Sequence, residues 1–321
     1  MTPRPKNPAH TLDAWRSARA AAGCPARVEA VRVPLEDAAG LVTAAPVRAV
    51  RASPPFDAAG MDGIAVRAAD TASASETTAV LLAPGAFDVV DTGDPVPDGR
   101  DAVVMREYVR YVGTAAELSA AVSPGQHVRP VGEDVGTAEL LLPEGHPLRA
   151  VDLAAAAAAG STHVLVRRAP VVAVLPIRTE THRPAGRPAD HGRILGACAL
   201  MLAAKAREAG CRASSQPIEP DDPGRLAEAI TAAAAGCDLL IIVTEASADR
   251  DDAAAGVAAQ LGAMAGPRMA AQPGHGVVLG VVEATPVLVA PAYPVPAALI
   301  FDTFAKPLLA ELQGATPGPD R

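Results

Sequence analysis

The hydrophobic and polar positions divide the chain into three textures. Near the N-terminus, Thr11 can cap a helix that brings Leu12, Trp15, Ala18 and Ala22 near one face before Gly23 stops it. A second short helix is predicted over 34–39, ending at Gly40. Over 46–145 the pattern changes to short β-rich runs, Val47–Val50, Ile64–Arg67, Val80–Ala83, Ala102–Met105, Val109–Val112 and Leu118–Val122, separated by Pro and Gly turns. That is the texture of a small β domain. The stretch RAVDLAAAAAA, 149–159, predicts a helix closed by Gly160. It is expected to pack with the N-terminal helices, so that 1–45 and 146–165 form one helical part with the β domain inserted between them.

From residue 163 the pattern becomes βαβα. Strands are predicted at Val164–Val166, Val171–Leu175, Leu239–Val243 and Val287–Ala290, and helices at 193–209, 223–235, 252–264 and 295–312. Continuous apolar strands alternating with helices imply a parallel sheet covered on both faces. The fold class is therefore a multidomain α/β chain: a helical part, an inserted small β domain, and a three-layer α/β/α domain over 166–312. Residues 1–10 and the tail 313–321 are expected to be disordered.

Composition narrows the partners. Half of the 321 residues are hydrophobic but only 2% are aromatic, so the core must be built from Ala, Val and Leu. A net charge of -8 argues against nucleic acid, which needs a basic face. Cys24, Cys198, Cys211 and Cys237 are scattered, without a Cys-x-x-Cys, and read as reduced thiols of a cytoplasmic protein. No run of about 18 apolar residues predicts a membrane span, and the start lacks the apolar region of a secretory signal.

Open parallel sheets bind ligands beyond the carboxyl ends of their strands. Three loops are predicted there: Pro176 to His182 after the first strand, Thr244 to Asp252 after the second, and Pro291 to Pro296 after the third. A separate stretch, SPPFDAAGMDGIAV (53–66), is dense in turn formers, carries two acids and runs into a strand.

Together these segments resemble one family. PPFDAAGMDGIAV is similar to the Pro-Pro-Phe-Asp-Asn-Ser-Ala-Met-Asp-Gly-Tyr-Ala-Val signature of the molybdopterin molybdenumtransferases, the MoeA and gephyrin E-domain family. TGDPVPDGRDAVVM (92–105) is similar to that family's TGAPVPEGADAVVM, and VRPVGEDV (128–135) resembles its RRRGEDI segment. Pro273-Gly274 stands where the family has Pro-Gly-Lys-Pro, and Phe301 to Leu312 matches its closing helix. The resemblance covers roughly residues 11–312. The family's C-terminal β domain is not expected, because only about nine residues follow Leu312.

The resemblance implies insertion of molybdate into adenylylated molybdopterin, assisted by Mg2+, in a homodimer whose site lies between the β domain of one chain and the α/β domain of the other. Other proteins of cofactor biosynthesis are further expected partners. Carried over residue by residue, Asp62 and Glu180 would be catalytic. Thr179, Ser247, Pro273, Gly274 and His275 would contact the molybdopterin, and Asp251 and Asp252 would face the metal. Each has a plainer reading. Asp62 can be a turn aspartate, Glu180 a solvated loop acid, Ser247 a turn residue, and Asp251 and Asp252 helix caps. His182, His191 and His275 have no metal spacing, so no zinc is assigned.

The C-terminal half departs from the family. Its TGDEL turn is here Ile177-Arg178-Thr179-Glu180-Thr181, and its GGVSVGxxD loop is EASADRDD, without the glycines that let backbone N–H groups cradle a phosphate. Gln272 and His275 replace two lysines, which weakens the attraction for a dianion such as molybdate. Leu-Pro-Gly-Asn-Pro-Val-Ser is here Ala290-Pro291-Ala292-Tyr293-Pro294-Val295-Pro296. Arg178, Arg183 or His275 could rebuild a positive pocket, or be solvated loop groups. Two readings follow: a divergent transferase with impaired catalysis, or a non-catalytic molybdopterin-binding or assembly paralogue that keeps the dimer scaffold.

Overall fold

The computed structural model describes residues 8–177, 191–215, 223–244, 256–257, 260–264, 269–271 and 275–316. Helix α1, Pro8–Ala21, begins before Thr11, because proline is well suited to a helix's first turn, where its missing N–H has no partner to lose. It ends as expected. Gly23 is left-handed (φ 71°), and the Cys24 N–H returns to the Arg19 carbonyl at 3.0 Å. The predicted helix over 34–39 is a single 3-10 turn, Leu35–Asp37.

Trp15 shows where α1 packs. Its side chain is buried among residues of the C-terminal sheet and helices, including Leu279, Phe301 and Leu308. Its indole N–H donates to the Gly280 carbonyl at 2.8 Å. Arg16 and Arg19 both reach Glu311 in the closing helix. The amphipathic face legible in the sequence is thus buried against the α/β core.

Strand β1, Ala30–Pro34, pairs antiparallel with β5, His163–Arg167. The run at Val164–Val166 therefore belongs to this small antiparallel sheet and not to the parallel one. Helix α2, Ala150–Ala158, starts at Arg149, whose N–H and guanidinium both bind the Asp152 carboxylate. Gly160 follows it in the left-handed region, as expected.

In the β region, β2 (Gly63–Val66) lies between β3 (Phe87–Val90) and β4 (Ala102–Met105), antiparallel to both. A second sheet joins Val80–Leu82, Ala115–Leu118 and Val109–Val112. Ile64, Val66, Val104, Leu82 and Leu118 fill the core between them. The run expected at Leu118–Val122 is displaced: the strand is Ala115–Leu118, and the Val122 N–H turns to the Thr71 hydroxyl at 3.1 Å.

The C-terminal sheet carries β6 (Val171–Pro176), β7 (Arg212–Ser215), β8 (Leu239–Thr244), β9 (Gly262–Met264), β10 (His275–Val282) and β11 (Thr285–Pro291), in the order β7-β6-β8-β11-β10-β9. The first four are parallel. β10 and β9 are antiparallel additions, so the sheet is mixed rather than wholly parallel. β9 also falls inside the segment expected as a helix over 252–264. Helices α3 (His191–Glu208) and α5 (Pro294–Ile300) cover one face. α5 continues through a π turn, Phe301–Ala305, into α6, Lys306–Gln313. Helix α4, Pro223–Ala235, covers the other.

Strand β8 shows why the layers form. Leu239, Ile241 and Val243 point to the α3 side, Leu240 and Ile242 to the α4 side, and all five are fully buried. A strand buried on both faces has no polar alternate position. The tail departs from expectation at its start. Gly314 caps α6 in the left-handed region (φ 64°), and the Thr316 N–H donates to the Gly145 carbonyl at 2.9 Å.

Candidate functional site

The stretch 53–66 is braced by two distant segments. The Asp57 carboxylate accepts the Val131 N–H at 2.8 Å, and the Asp57 carbonyl accepts the Val96 N–H at 2.8 Å. Ala58–Ala59 pairs with Val128–Arg129, and the Gly60 N–H donates to the His127 carbonyl at 2.7 Å. The Ser53 N–H and carbonyl both engage Val135, and Gly132 donates to Pro54. Three motifs scattered in the sequence are therefore one hydrogen-bonded unit.

Asp62 sits at its apex. The following Gly63 is required by packing: a Cβ there would lie 1.9 Å from the Val104 carbonyl oxygen. The Asp62 carbonyl accepts the Arg106 N–H at 3.0 Å. Its carboxylate Oδ1 accepts both donors of Thr92, the backbone N–H at 2.8 Å and the hydroxyl at 2.7 Å. Thr92 is itself fixed by its turn. The Gly93 N–H donates to the Ala59 carbonyl, and the Asp94 carboxylate accepts the Asp91 N–H at 2.9 Å.

These bonds set the chemistry of Asp62. The Thr92 hydroxyl first, then the Thr92 amide, and more weakly the Arg106 guanidinium, hold its carboxyl below the usual aspartate range. It is a fixed, exposed carboxylate. Oδ1 is occupied, and Oδ2 has no hydrogen-bond partner among the described residues. The turn reading of Asp62 is too simple, because the amide it binds lies 30 residues away.

The second half of the expected site lies at the carboxyl ends of β6, β8 and β11, which finish side by side. Pro176 is level with Val243 and Thr244 with Pro291; the Ile177 N–H donates to Val243 and the Ala292 N–H to Thr244. The loops expected to carry Thr179, Glu180, Ser247, Asp251, Asp252, Pro273 and Gly274 lie outside the described residues. The His275 backbone opens β10, opposite Ala271. Among the described residues no three His, Cys, Asp or Glu side chains cluster as a metal site. Asp62 Oδ2 is one hard carboxylate oxygen of the kind magnesium takes.

Tyr293 is the N-cap residue of α5, followed by Pro294, Val295 and Pro296. The first turn of a helix normally exposes its N–H groups to an anion. Here two of the first three positions are prolines without an N–H. The residues that sequence reasoning missed are Thr92 and Arg106. For Thr92 the signal was its Thr-Gly turn, and for Arg106 its place directly after the strand paired with the Met-Asp-Gly turn.

Residues 11–160 match the family described as the MoeA N-terminal region (domain I and II), and 173–311 match the probable molybdopterin binding domain. Molybdopterin molybdenumtransferase 2 of Mycobacterium tuberculosis is 32% identical over 314 residues, covering 91% of this chain and 77% of that one. The molybdopterin molybdenumtransferase of Haemophilus influenzae is 29% identical over 294 residues, covering 87% and 72%. A structure of the molybdopterin biosynthesis MoeA protein from Pyrococcus horikoshii superposes with a TM-score of 0.75 at 26% identity, covering 97% of this chain and 81% of that one. With both halves of the family pattern matched in order and the fold shared across nearly its whole length, this chain belongs to the MoeA family of molybdenum cofactor biosynthesis proteins.

Proposed function

We propose that this protein binds molybdopterin, or its adenylylated form, and carries an impaired version of the molybdate-inserting transferase site. The observation that supports retained binding is the double hydrogen bond from Thr92 that holds Asp62 as a fixed carboxylate. It couples two family motifs in a geometry independent of any ligand. The impairment is supported by the start of α5, where Pro296 stands in place of the family's serine and has neither an amide donor nor a hydroxyl, and by Gln272 and His275 in place of family lysines. A dianion meets fewer donors and fewer fixed cations there.

In this reading the protein acts as a cytoplasmic homodimer, with Asp62 of one chain facing the strand ends of the other, the α/β region over 166–312 and the β region over 46–145. By the resemblance, Thr179, Glu180, Ser247, Pro273, Gly274 and His275 would act from the opposite side. Magnesium would be held by Asp62 Oδ2 with Asp251 and Asp252, and would neutralise phosphoryl oxygens when bound. The chain's own part is to hold the Asp62 carboxylate charged and to orient it. Isothermal titration with molybdopterin and with molybdate, followed by an assay of AMP release, tests the reading. Molybdopterin binding with weak molybdate binding supports it. Binding of neither would remove it.

The second reading, a non-catalytic molybdopterin-binding or assembly protein, is favoured by the same proline-blocked helix start. It requires molybdopterin binding with no molybdate-dependent AMP release.

A further inference from the structure

Among the described residues, Arg106 is the cation beside the acidic apex around Asp62. Arg106 follows β4 directly, and its N–H is bonded to the Asp62 carbonyl at 3.0 Å, so its side chain starts next to the carboxylate. Four other arginines of the β region each make two side-chain hydrogen bonds. Arg67 makes two bonds to Asp70, Arg100 binds Asp88 and the Gly85 carbonyl, Arg110 makes two bonds to Glu117, and Arg129 binds Glu133 and Asp134. Among the described residues Arg106 makes one side-chain hydrogen bond, a 3.5 Å reach to Asp91, and the two side chains are 67% and 72% exposed.

A guanidinium carries five N–H donors in a planar fork that matches phosphate geometry. At Arg106 nearly all of that fork is unused, and an exposed pair at such a distance contributes little to stability. Arg106 therefore contributes little to holding the fold. It lies beside a carboxylate whose outer oxygen is open, on the wall that faces the substrate in the functional reading above. We propose that Arg106 grips the phosphoryl group of the substrate, a phosphate ester, supplying from the β region a cation of the kind that the Pro-Gly loop has lost. The inference rests on that functional reading. Phosphate would displace Asp91 from the guanidinium. Asp62, Asp91 and Asp94 repel a bare anion, so the phosphoryl group is expected to arrive with a divalent cation.

The test is isothermal titration in magnesium buffer with inorganic pyrophosphate and, separately, with molybdopterin, on the wild type, Arg106→Ala, Arg106→Lys and Arg110→Ala. Arg106→Ala should weaken pyrophosphate on the order of tenfold or more, the loss expected for charge-assisted hydrogen bonds. Arg106→Lys should recover part of it, because it keeps the charge without the fork. Arg110→Ala should match the wild type, and all four proteins should melt together. Pyrophosphate affinity unchanged in Arg106→Ala, or no binding by the wild type, would overturn the proposal. Wild type that binds pyrophosphate through Arg106 but rejects molybdopterin would support it and overturn the functional reading. Molybdopterin binding untouched by Arg106→Ala would do the reverse.

Discussion

The two walls of the proposed site differ in how they are held. The β-region wall is a closed set of hydrogen bonds among residues 53–66, 91–96 and 127–135, with Asp62 fixed by Thr92 and Gly63 fitted against a carbonyl. The proposed α/β wall is a row of strand ends, with a helix start where Pro296, in place of the family's serine, offers neither amide nor hydroxyl. The first needs no ligand to keep its shape. In the functional reading proposed, the second lacks groups that only a ligand would have needed. A scaffold and an anion site can thus diverge separately, because their residues serve different parts of the free energy.

Substitutions that break each wall sharpen the contrast. The largest effect is expected for Trp15→Ala, which empties a fully buried site in the α/β core and removes the bond to Gly280. A loss of about 3 to 5 kcal/mol in urea unfolding is expected. Gly63→Ala breaks the other region by forcing a methyl against the Val104 carbonyl, with a loss of about 3 kcal/mol by the same measurement. If Gly63→Ala were as stable as the wild type, the fitted turn would be wrong.

Pro296→Ser returns an N–H and a hydroxyl to the start of α5. Molybdate affinity should rise on the order of tenfold, the worth of one or two hydrogen bonds to an anion. No change in the titration would show that this helix start does not set the affinity for the anion.

The smallest effect on stability is expected for Thr92→Val, which removes the hydroxyl donor and leaves the amide. The Asp62 carboxyl should then titrate at higher pH, followed by carbon NMR of the side chain. The sign follows from linkage. A depressed aspartate stabilises the fold above its unfolded pKa and loses that contribution as pH falls through the folded value. Thr92→Val should therefore show less of its stability lost on acidification over that range than the wild type.

Much of the scaffold was legible because its physics is local. Val171–Pro176, Leu239–Thr244 and Thr285–Pro291 stand out as apolar runs, since strands buried on both faces admit no polar position. His275–Val282 was missed because its hairpin turns at Glu283 and Ala284, without the usual Asn-Gly signal, Glu283 adopting the left-handed region at φ 52°. The Trp15 helix announced an apolar face but not what covers it, because periodicity carries no address. The Asp62 site was half legible. Its turn was visible in the resemblance, while the bond from Thr92 crosses 30 residues and depends on how two loops meet. Arg106 left only a positional signal, its place directly after a paired strand, and a lone basic residue there is ordinarily a solvated one.

The central claim is that the molybdopterin-binding wall is kept while molybdate handling is weakened. It is tested most directly by measuring molybdate-dependent AMP release from adenylylated molybdopterin, alongside the 32% identical molybdopterin molybdenumtransferase 2 of Mycobacterium tuberculosis. The account predicts that this protein binds the substrate yet releases AMP more slowly than that relative at every molybdate concentration. Equal rates at limiting molybdate would contradict it.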